Sequence, residues 1–251
     1  MQTPHGVKYE AYRPSVMGRN GMVSSAHPLA SQAGIQVLMA DGNAIDAAVA
    51  TAAALGVVEP QSSGIGGDGY LLIYRAEDQS VTGVNATGAA PLAGTREFYL
   101  ERDGIPMRGI LSVSVPGLVD GWFLAHQRYG NLPIDKVLEP AISLCENGFP
   151  VNHKFAGSLA AQAETFASDP YTRAVFTDDG ARFKPGAILY QKDLGQTLRT
   201  LAAEGSRALY EGRIAREIVR FGKAYDGLFT AEDLARHHSH WADPISTDYR
   251  G

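Results

Sequence analysis

The sequence predicts an α+β fold with an antiparallel sheet, because strand-like segments come early in the chain and helical segments follow. Residues 69–75 and 80–86 carry mostly β-branched, aromatic and other strand-compatible side chains, and a short polar segment separates them. This spacing is typical of a β-hairpin. Strands and helices do not alternate regularly along the chain, so a parallel sheet is not expected.

Two helices are predicted before the hairpin, after a short strand over residues 22–25. The first covers residues 28–41, and the second begins at Asn43, which can cap it, with Asp46 three residues further on. The second helix is small and apolar around its whole circumference. We therefore expect residues 43–58 to be buried on all faces and packed on the hairpin.

Further helices are predicted in the last quarter of the chain. A leucine repeat marks a helix that ends at Gly205, a second helix covers residues 207–221, and Thr230 can cap a third. The chain then runs into an extended segment, residues 244–251, without a closing element. We expect this segment to be continued by further sequence.

The composition is that of a globular protein, with 45% hydrophobic and 20% charged residues. The net charge is −5 and no long run of Lys or Arg occurs, which argues against nucleic-acid and anionic-membrane partners. No segment approaches the length of a membrane span, and the first twenty residues contain no apolar leader. These features predict a cytoplasmic protein that acts on small molecules.

Several potentially reactive residues have simpler structural interpretations. Cys145 lies in an apolar helical segment and is predicted to be buried packing. His237, His238 and His240 could bind a transition metal, but without a nearby cysteine a solvated helix end is the favoured interpretation. No metal and no cofactor is therefore predicted.

The glycine-rich segment over residues 64–69 is predicted to form a tight turn. A phosphate-binding loop needs a helix directly after it, whereas a strand is predicted here. Asp46 and Asp120 are predicted to be structural. No Gly-x-Ser-x-Gly elbow occurs, and no Ser, His and Asp grouping can be assembled from spacing, so no catalytic residue is assigned in this chain.

Several motifs follow one another in a specific order, namely residues 41–48, 59–69, 115–117, 201–205, 210–215 and 233–251. Together they resemble the γ-glutamyltransferase family, also called γ-glutamyltranspeptidases, over about residues 21–251. The resemblance implies an N-terminal-nucleophile hydrolase fold, a four-layer αββα sandwich made as one precursor that cuts itself into a large and a small subunit. Residues 1–251 would be an incomplete large subunit.

The resemblance also implies where the chemistry takes place. The nucleophile would be the N-terminal Thr of the small subunit, whose own α-amine can act as general base. Met1 and Gln2 have no hydroxyl, so this chain cannot supply that nucleophile. The implied partners are a small-subunit chain and a small-molecule amide substrate, and the implied assembly is a dimer of heterodimers.

Asn85, Thr87 and Gly88 are the candidate substrate-binding residues. In γ-glutamyl enzymes of the family, an Arg followed by Glu precedes an Ala-Pro pair, and the Arg holds the α-carboxylate of the substrate. Here Thr87 stands in the place of Arg and Gly88 in the place of Glu. γ-Glutamyl donors are therefore expected to be poor substrates, unless one of three later arginines, Arg96, Arg102 or Arg108, reaches the pocket.

Three functions remain open on the sequence. The leading hypothesis is an N-terminal-nucleophile amidohydrolase or acylase that forms an acyl-enzyme on the Thr of the small subunit. The alternative is a γ-glutamyl transferase or hydrolase that acts on glutathione-like donors. The third is a non-catalytic interface unit, whose sheet would have an unpaired edge and an open apolar face.

Overall fold

The computed structural model describes residues 16–164, 169–177, 180 and 183–251. Met1 and Gln2, on which one expectation rests, lie outside these residues. None of the described helices is long and apolar enough to cross a bilayer. In chain order the helices are α1 (Pro28–Met39), α2 (Ala44–Val58), α3 (Arg96–Leu100), α4 (Leu118–Tyr129), α5 (Ile134–Asn147), α6 (His153–Ala161), α7 (Pro170–Phe176), α8 (Lys192–Glu204), α9 (Arg207–Tyr210), α10 (Arg213–Ala224) and α11 (Ala231–Ala235).

The main sheet is antiparallel, as the sequence predicts. Strands β1 (Gly69–Arg75) and β2 (Ser80–Ala86) form the expected hairpin with the predicted bounds, and Gly69 lies opposite Ala86. A short strand from the end of the chain pairs with β2 and places His240 opposite Asn85. A separate two-stranded sheet joins two short segments after α5 and before α8. These three short strands are β3 (Phe149–Pro150), β4 (Ile188–Leu189) and β5 (His240–Ala242).

Among the described residues, helices cover one face of the main sheet and nothing covers the other face. Helix α4 packs on β1 and β2, and α1, α2, α5 and α8 form the helical core behind it. On the opposite face, Tyr70, Leu72 and Tyr74 of β1 are 75%, 73% and 63% exposed. The described part of the chain therefore provides one helical layer and one sheet layer, with an apolar surface facing outwards.

Helix α2 begins with the capping box that the sequence predicts. The Asn43 side chain accepts hydrogen bonds from the backbone N–H groups of Ile45 and Asp46, and Asp46 accepts one from the backbone of Asn43. Asp46 is fully buried and also accepts from the backbone N–H of Asn131. The expected structural role of this carboxylate is confirmed.

The expectation that α2 is buried on all faces is wrong. Ala44 and Ala48 are exposed and Ala52 is half-buried. The helix packs mainly on α1 and α5, because its small side chains admit close helical neighbours. An open groove of about 620 Å³ lies along its exposed stripe, beside residues 20–25. Residues 22–25, predicted as a strand, pair with no strand in the part of the chain that the structure describes, and they line this groove instead.

Replacing Ala50 or Ala53 with Leu is expected to destabilise the protein by about 1–3 kcal/mol. Both alanines are fully buried, at 0% and 1% exposure, on the covered side of α2. The matched control is Ala160→Leu on the exposed side of α6. Urea unfolding of the full-length protein measures the difference, and equal midpoints for all three variants would show that α2 has room for larger side chains.

Two of the three helices predicted in the last quarter of the chain are present as expected. Helix α8 ends before Gly205, and α11 begins with a capping box between Thr230 and Asp233. The predicted helix over residues 207–221 is instead two helices, α9 and α10, because the chain leaves the helical conformation at Gly212.

Cys145 is fully buried in α5, as predicted. Burial in an apolar environment raises the pKa of its thiol to about 12. The thiol is therefore neutral at physiological pH, which confirms the interpretation as a packing residue.

Candidate substrate-binding site

The three predicted site residues lie where the chain leaves β2. Asn85 is in β2, and its side-chain Oδ1 accepts hydrogen bonds from the backbone N–H and the hydroxyl of Thr87, at 3.0 and 2.6 Å. This local turn bends the chain away from the sheet. The structure thus brings Asn85, Thr87 and Gly88 into one compact segment, and their contact with substrate stays a prediction.

Gly88 is in close contact with the loop before α4. A Cβ atom built on Gly88 would lie 1.5 Å from the carbonyl oxygen of Val115. A Cβ on Gly117, in the same loop, would lie 2.2 Å from the carbonyl oxygen of Ala86. The two backbone segments therefore pack directly against each other, and position 88 has no room for a side chain.

Asp68 joins these segments to the glycine-rich turn, and sequence reasoning did not single it out. Its carboxylate accepts a hydrogen bond from the backbone N–H of Gly88 at 2.8 Å and another from the hydroxyl of Ser114 at 2.9 Å. Its side chain is otherwise exposed. The only available signal was a lone carboxylate among glycines. An acidic group therefore lies next to the predicted substrate-binding segment.

The glycine-rich turn is close-packed, as predicted. The carbonyl oxygen of Gly67 accepts hydrogen bonds from the backbone N–H groups of Gly117 and Leu118, both at 3.0 Å. Strand β1, and not a helix, follows directly at Gly69. The turn therefore lacks the helix N-terminus that a phosphate-binding loop requires.

Hydrogen bonds from polar side chains hold the loop before α4 and the first turn of α4 in place. The hydroxyl of Tyr210 donates to the carbonyl oxygen of Pro116 at 2.8 Å, and burial raises the pKa of this hydroxyl. Asp120 accepts hydrogen bonds from the Ser206 hydroxyl and the Ser239 backbone N–H, at 3.0 and 2.6 Å. The expected structural role of Asp120 is confirmed, because it ties α4 to two distant segments.

The prediction that the histidine cluster is a solvated helix end is wrong for His237, which is buried. His237 is only 8% exposed and its ring stacks on Tyr210, with 5.1 Å between ring centroids. His238 is exposed, and His240 lies in β5. The described residues contain no group of three or more His, Cys, Asp or Glu side chains arranged to hold a metal ion. Stacking on Tyr210, which the sequence does not reveal, is the reason that His237 turns inwards.

His237→Phe is expected to reduce the loss of stability at acidic pH. The Nε2 atom of His237 is buried and has no hydrogen-bond partner among the described residues, and burial lowers the pKa of the ring below its ordinary 6.5. Stability is therefore lost as pH falls below the unfolded-state pKa, because the unfolded chain binds the proton more readily. Urea unfolding between pH 5 and 7 measures this.

The exposed neighbour His238 supplies the control for this experiment. The gap in stability between His237→Phe and the unmodified protein should widen in favour of the variant as pH falls. His238→Phe should show no such trend. A constant gap for His237→Phe would mean that its ring does not control the acid response.

The three candidate arginines differ in the contacts that their side chains make with the rest of the described chain. Arg102 donates to the carbonyl oxygen of Phe98 at 2.9 Å and lies over its ring. Arg108 donates to the side chain of Gln162 at 3.0 Å. The side chain of Arg96 makes no hydrogen bond or ion pair with any described residue, and it lines a groove that reaches Ala90. Of these three arginines, Arg96 is therefore the one whose side chain has the fewest contacts with described residues.

The described residues contain no nucleophile paired with a histidine base. No Ser, Thr or Cys side chain in this part of the chain hydrogen-bonds to a histidine ring; the His27 ring, for example, contacts Asn152 and the Leu29 backbone. A histidine base beside a hydroxyl or thiol is one common way in which a protein activates a nucleophile. That the nucleophile lies outside this chain stays a prediction.

Comparison with known proteins identifies the fold class and the family. The structure matches gamma-glutamyltranspeptidase of Helicobacter pylori with a TM-score of 0.90 and 34% identity, over 95% of this chain and 70% of that one. It matches cephalosporin acylase of Bacillus halodurans with a TM-score of 0.91 and 36% identity, over 100% of this chain and 48% of that one. The expected fold class is confirmed: the chain is α+β and forms part of an N-terminal-nucleophile hydrolase fold.

The sequence model of the Gamma-glutamyltranspeptidase family matches residues 30–251. The chain is 42% identical to the Glutathione hydrolase-like YwrD proenzyme of Bacillus subtilis (strain 168), over 94% of this chain and 45% of that relative. The chain therefore belongs to the gamma-glutamyltranspeptidase family. It spans about half the length of the curated relatives that it matches.

Proposed function

We propose that the full-length protein is an N-terminal-nucleophile amidohydrolase or acylase, and that residues 1–251 form part of its large subunit. The nucleophile would be a Thr at the start of the small subunit, and an amide bond would be cleaved through an acyl-enzyme on that Thr. Family membership supports this reaction class. The names of similar proteins include both glutathione hydrolases and acylases, so membership alone does not select the acyl group.

The observation that favours an acylase is the packing at Gly88. Because the backbone of Val115 fills the space of a side chain at position 88, this loop has no room for the Glu of the γ-glutamyl signature. Thr87 supplies a hydroxyl in the place of the Arg, and that hydroxyl is bound to Asn85. No Lys or Arg side chain in the described part of the chain hydrogen-bonds to residues 85–91. A substrate carboxylate would find no bidentate partner at this loop.

The open face of the main sheet supports a two-chain arrangement. Tyr70, Leu72 and Tyr74 project from β1 on one side, and a groove of about 380 Å³ lies between β1 and α2. An exposed apolar face next to an unpaired strand edge is a surface that proteins normally cover. We infer that the small subunit covers it and adds a second sheet layer, and that the resulting heterodimer can pair with a second one.

γ-Glutamyl transfer or hydrolysis is the second candidate, and Asp68 is the observation that favours it. Its carboxylate lies at the candidate site, where it is able to pair with an α-ammonium group. Arg96, in the neighbouring groove, is able to pair with an α-carboxylate. Together these two residues would replace the missing Arg-Glu pair from different positions in the chain.

Purification of the full-length protein and of residues 1–251 tests the proposal. Mass spectrometry should show two chains from the full-length precursor, the second beginning with Thr. The processed protein should hydrolyse acyl p-nitroanilides, whereas residues 1–251 alone should not, because their own N-terminal residues have no hydroxyl. An unprocessed, inactive precursor would support the third hypothesis, a non-catalytic interface unit.

Leu72→Asp on the open face serves as a check of the subunit interface. Leu72 is exposed in the described chain, so the substitution should leave this part folded. It should weaken association of the two processed chains, because a carboxylate would be buried in their contact. The size of the assembly in solution also tests the dimer of heterodimers.

A further inference from the structure

Residues 87–92 follow strand β2 and belong to no helix or strand of the described chain. We call them the 87–92 segment, and two of the three predicted site residues lie in it. Two of its backbone N–H groups donate to carboxylates from other parts of the chain. Gly88 donates to Asp68 at 2.8 Å, and Leu92 donates to Asp233 at 2.7 Å. The place of this segment therefore depends on two distant side chains.

Asp233 is a buried part of a helix cap. One of its oxygens accepts hydrogen bonds from the backbone N–H and the hydroxyl of Thr230, at 2.7 and 2.6 Å, and the other faces Leu92. The residue is 6% exposed. A substitution of Asp233 would remove the cap of α11 together with the contact to the segment. It would not separate an effect on position from an effect on folding.

Asp68, in contrast, is exposed and lies in no helix or strand. One of its oxygens accepts from Gly88, and the other accepts from the hydroxyl of Ser114 at 2.9 Å. The backbone on both sides of Asp68 is fixed, because the carbonyl oxygen of Gly67 accepts two hydrogen bonds from the loop before α4 and strand β1 begins at Gly69. A fixed backbone therefore holds this exposed carboxylate against the 87–92 segment.

The hydrogen bond from Gly88 to Asp68 is expected to fix a position more than to stabilise the fold. Without the carboxylate, water would reach the N–H of Gly88, so the net effect on folding would be small. Water would not, however, hold that N–H at one place relative to β1. Contacts with a substrate require such a fixed place, because a small displacement of a binding group weakens them.

We propose that Asp68 is a positioning residue, which holds the 87–92 segment where it contacts the acyl group of the substrate and does not itself touch the substrate. Each of its oxygens already accepts a hydrogen bond from the protein. The inference rests on the proposed amidohydrolase function and on the predicted contact of Thr87 and Gly88 with substrate. It gives Asp68 a different role from that of a partner for an α-ammonium group.

The test compares Asp68→Ala and Asp68→Asn in the full-length, processed protein with glutaryl p-nitroanilide. Asp68→Ala should raise KM about tenfold and change kcat by less than about threefold, because the acyl contacts are displaced and the nucleophile is not. Asp68→Asn should recover most of the original KM. Its amide oxygen can accept from Gly88, and the Ser114 hydroxyl can turn to accept from its amide nitrogen. An equal rise in KM for both variants would overturn the positioning role.

Asp78→Ala is the matched control. Asp78 is also exposed and also accepts from a backbone N–H and a serine hydroxyl, both of Ser80, but it lies in the turn at the other end of β1. This variant should leave KM within about twofold of the original. γ-Glutamyl p-nitroanilide tests the competing role of Asp68. A selective loss of activity on this compound in Asp68→Asn would show that the carboxylate binds the α-ammonium group, and it would contradict the inference.

Hydrogen exchange, measured by mass spectrometry on the full-length protein, separates this inference from the proposed function. The amides of residues 87–92 should exchange about tenfold faster in Asp68→Ala than in the unmodified protein, and Asp68→Asn should remain close to the unmodified protein. If neither anilide is cleaved but exchange depends on Asp68 in this way, the hydrolase function fails and the contact that holds the segment stands. If the anilides are cleaved and neither KM nor exchange depends on Asp68, the inference fails and the function stands.

Discussion

Replacing Gly88 with Glu is expected to destabilise the full-length protein by about 3 kcal/mol or more. The new Cβ would lie 1.5 Å from the carbonyl oxygen of Val115, which no rotamer change can relieve. Val115 cannot simply move away, because its backbone N–H donates to the carbonyl oxygen of Ala89 at 2.9 Å. Urea unfolding monitored by circular dichroism measures the loss.

The control for this variant is Ala89→Glu, which places the same side chain on the exposed neighbouring residue. It should change stability by no more than about 0.5 kcal/mol. Equal stability of the two variants would mean that the loop before α4 moves freely, and that the γ-glutamyl signature could be restored here by substitution.

γ-Glutamyl amides are expected to be poorer substrates than glutaryl amides, by about 2–4 kcal/mol in transition-state binding. The two acyl groups differ only in the α-ammonium group of γ-glutamyl. Gly88 offers no carboxylate to that group, and the carboxylate of Asp68 is already hydrogen-bonded to Gly88 and Ser114, which leaves only part of its acceptor capacity for an ammonium group. Arg96 adds positive charge beside the site. The ammonium group would therefore lose water without gaining a full partner, as the ratio of kcat/KM values should show.

Local signals account for the parts of the fold that the sequence predicts well. The capping residues Asn43 and Thr230 mark helix starts, because their side chains satisfy backbone N–H groups of the next turn. The bounds of the β1–β2 hairpin follow from residue type and turn composition in the same way. Such features depend on residues a few positions apart and need no knowledge of tertiary contacts.

Features that depend on distant partners were predicted poorly. The exposed stripe of α2 carries alanines like its buried stripe, so composition cannot tell the two sides apart. Residues 22–25 look like a strand, but strand formation needs a pairing partner. His237 is buried because Tyr210 lies beneath it, and the two residues are far apart in the sequence.

In the candidate site, too, local features were predicted from the sequence and contacts between distant residues were not. Asn85, Thr87 and Gly88 were found by comparison with the Arg-Glu signature that precedes an Ala-Pro pair in the family, and their local turn follows from the Asn85 side chain. Asp68 is twenty residues from Gly88 in the sequence, and its hydrogen bond to that residue appears only in the folded chain. The choice among three arginines likewise required knowing which guanidinium groups were already bonded.

The acyl selectivity of the processed full-length protein tests the central claim most directly. The measurement compares kcat/KM for γ-glutamyl p-nitroanilide and glutaryl p-nitroanilide at the same pH and ionic strength. We predict a preference for the glutaryl compound of roughly 30- to 900-fold, the equivalent of about 2–4 kcal/mol. A clear preference for the γ-glutamyl compound would contradict this account, and it would mean that Asp68 pairs with the α-ammonium group in an enzyme that acts on γ-glutamyl donors.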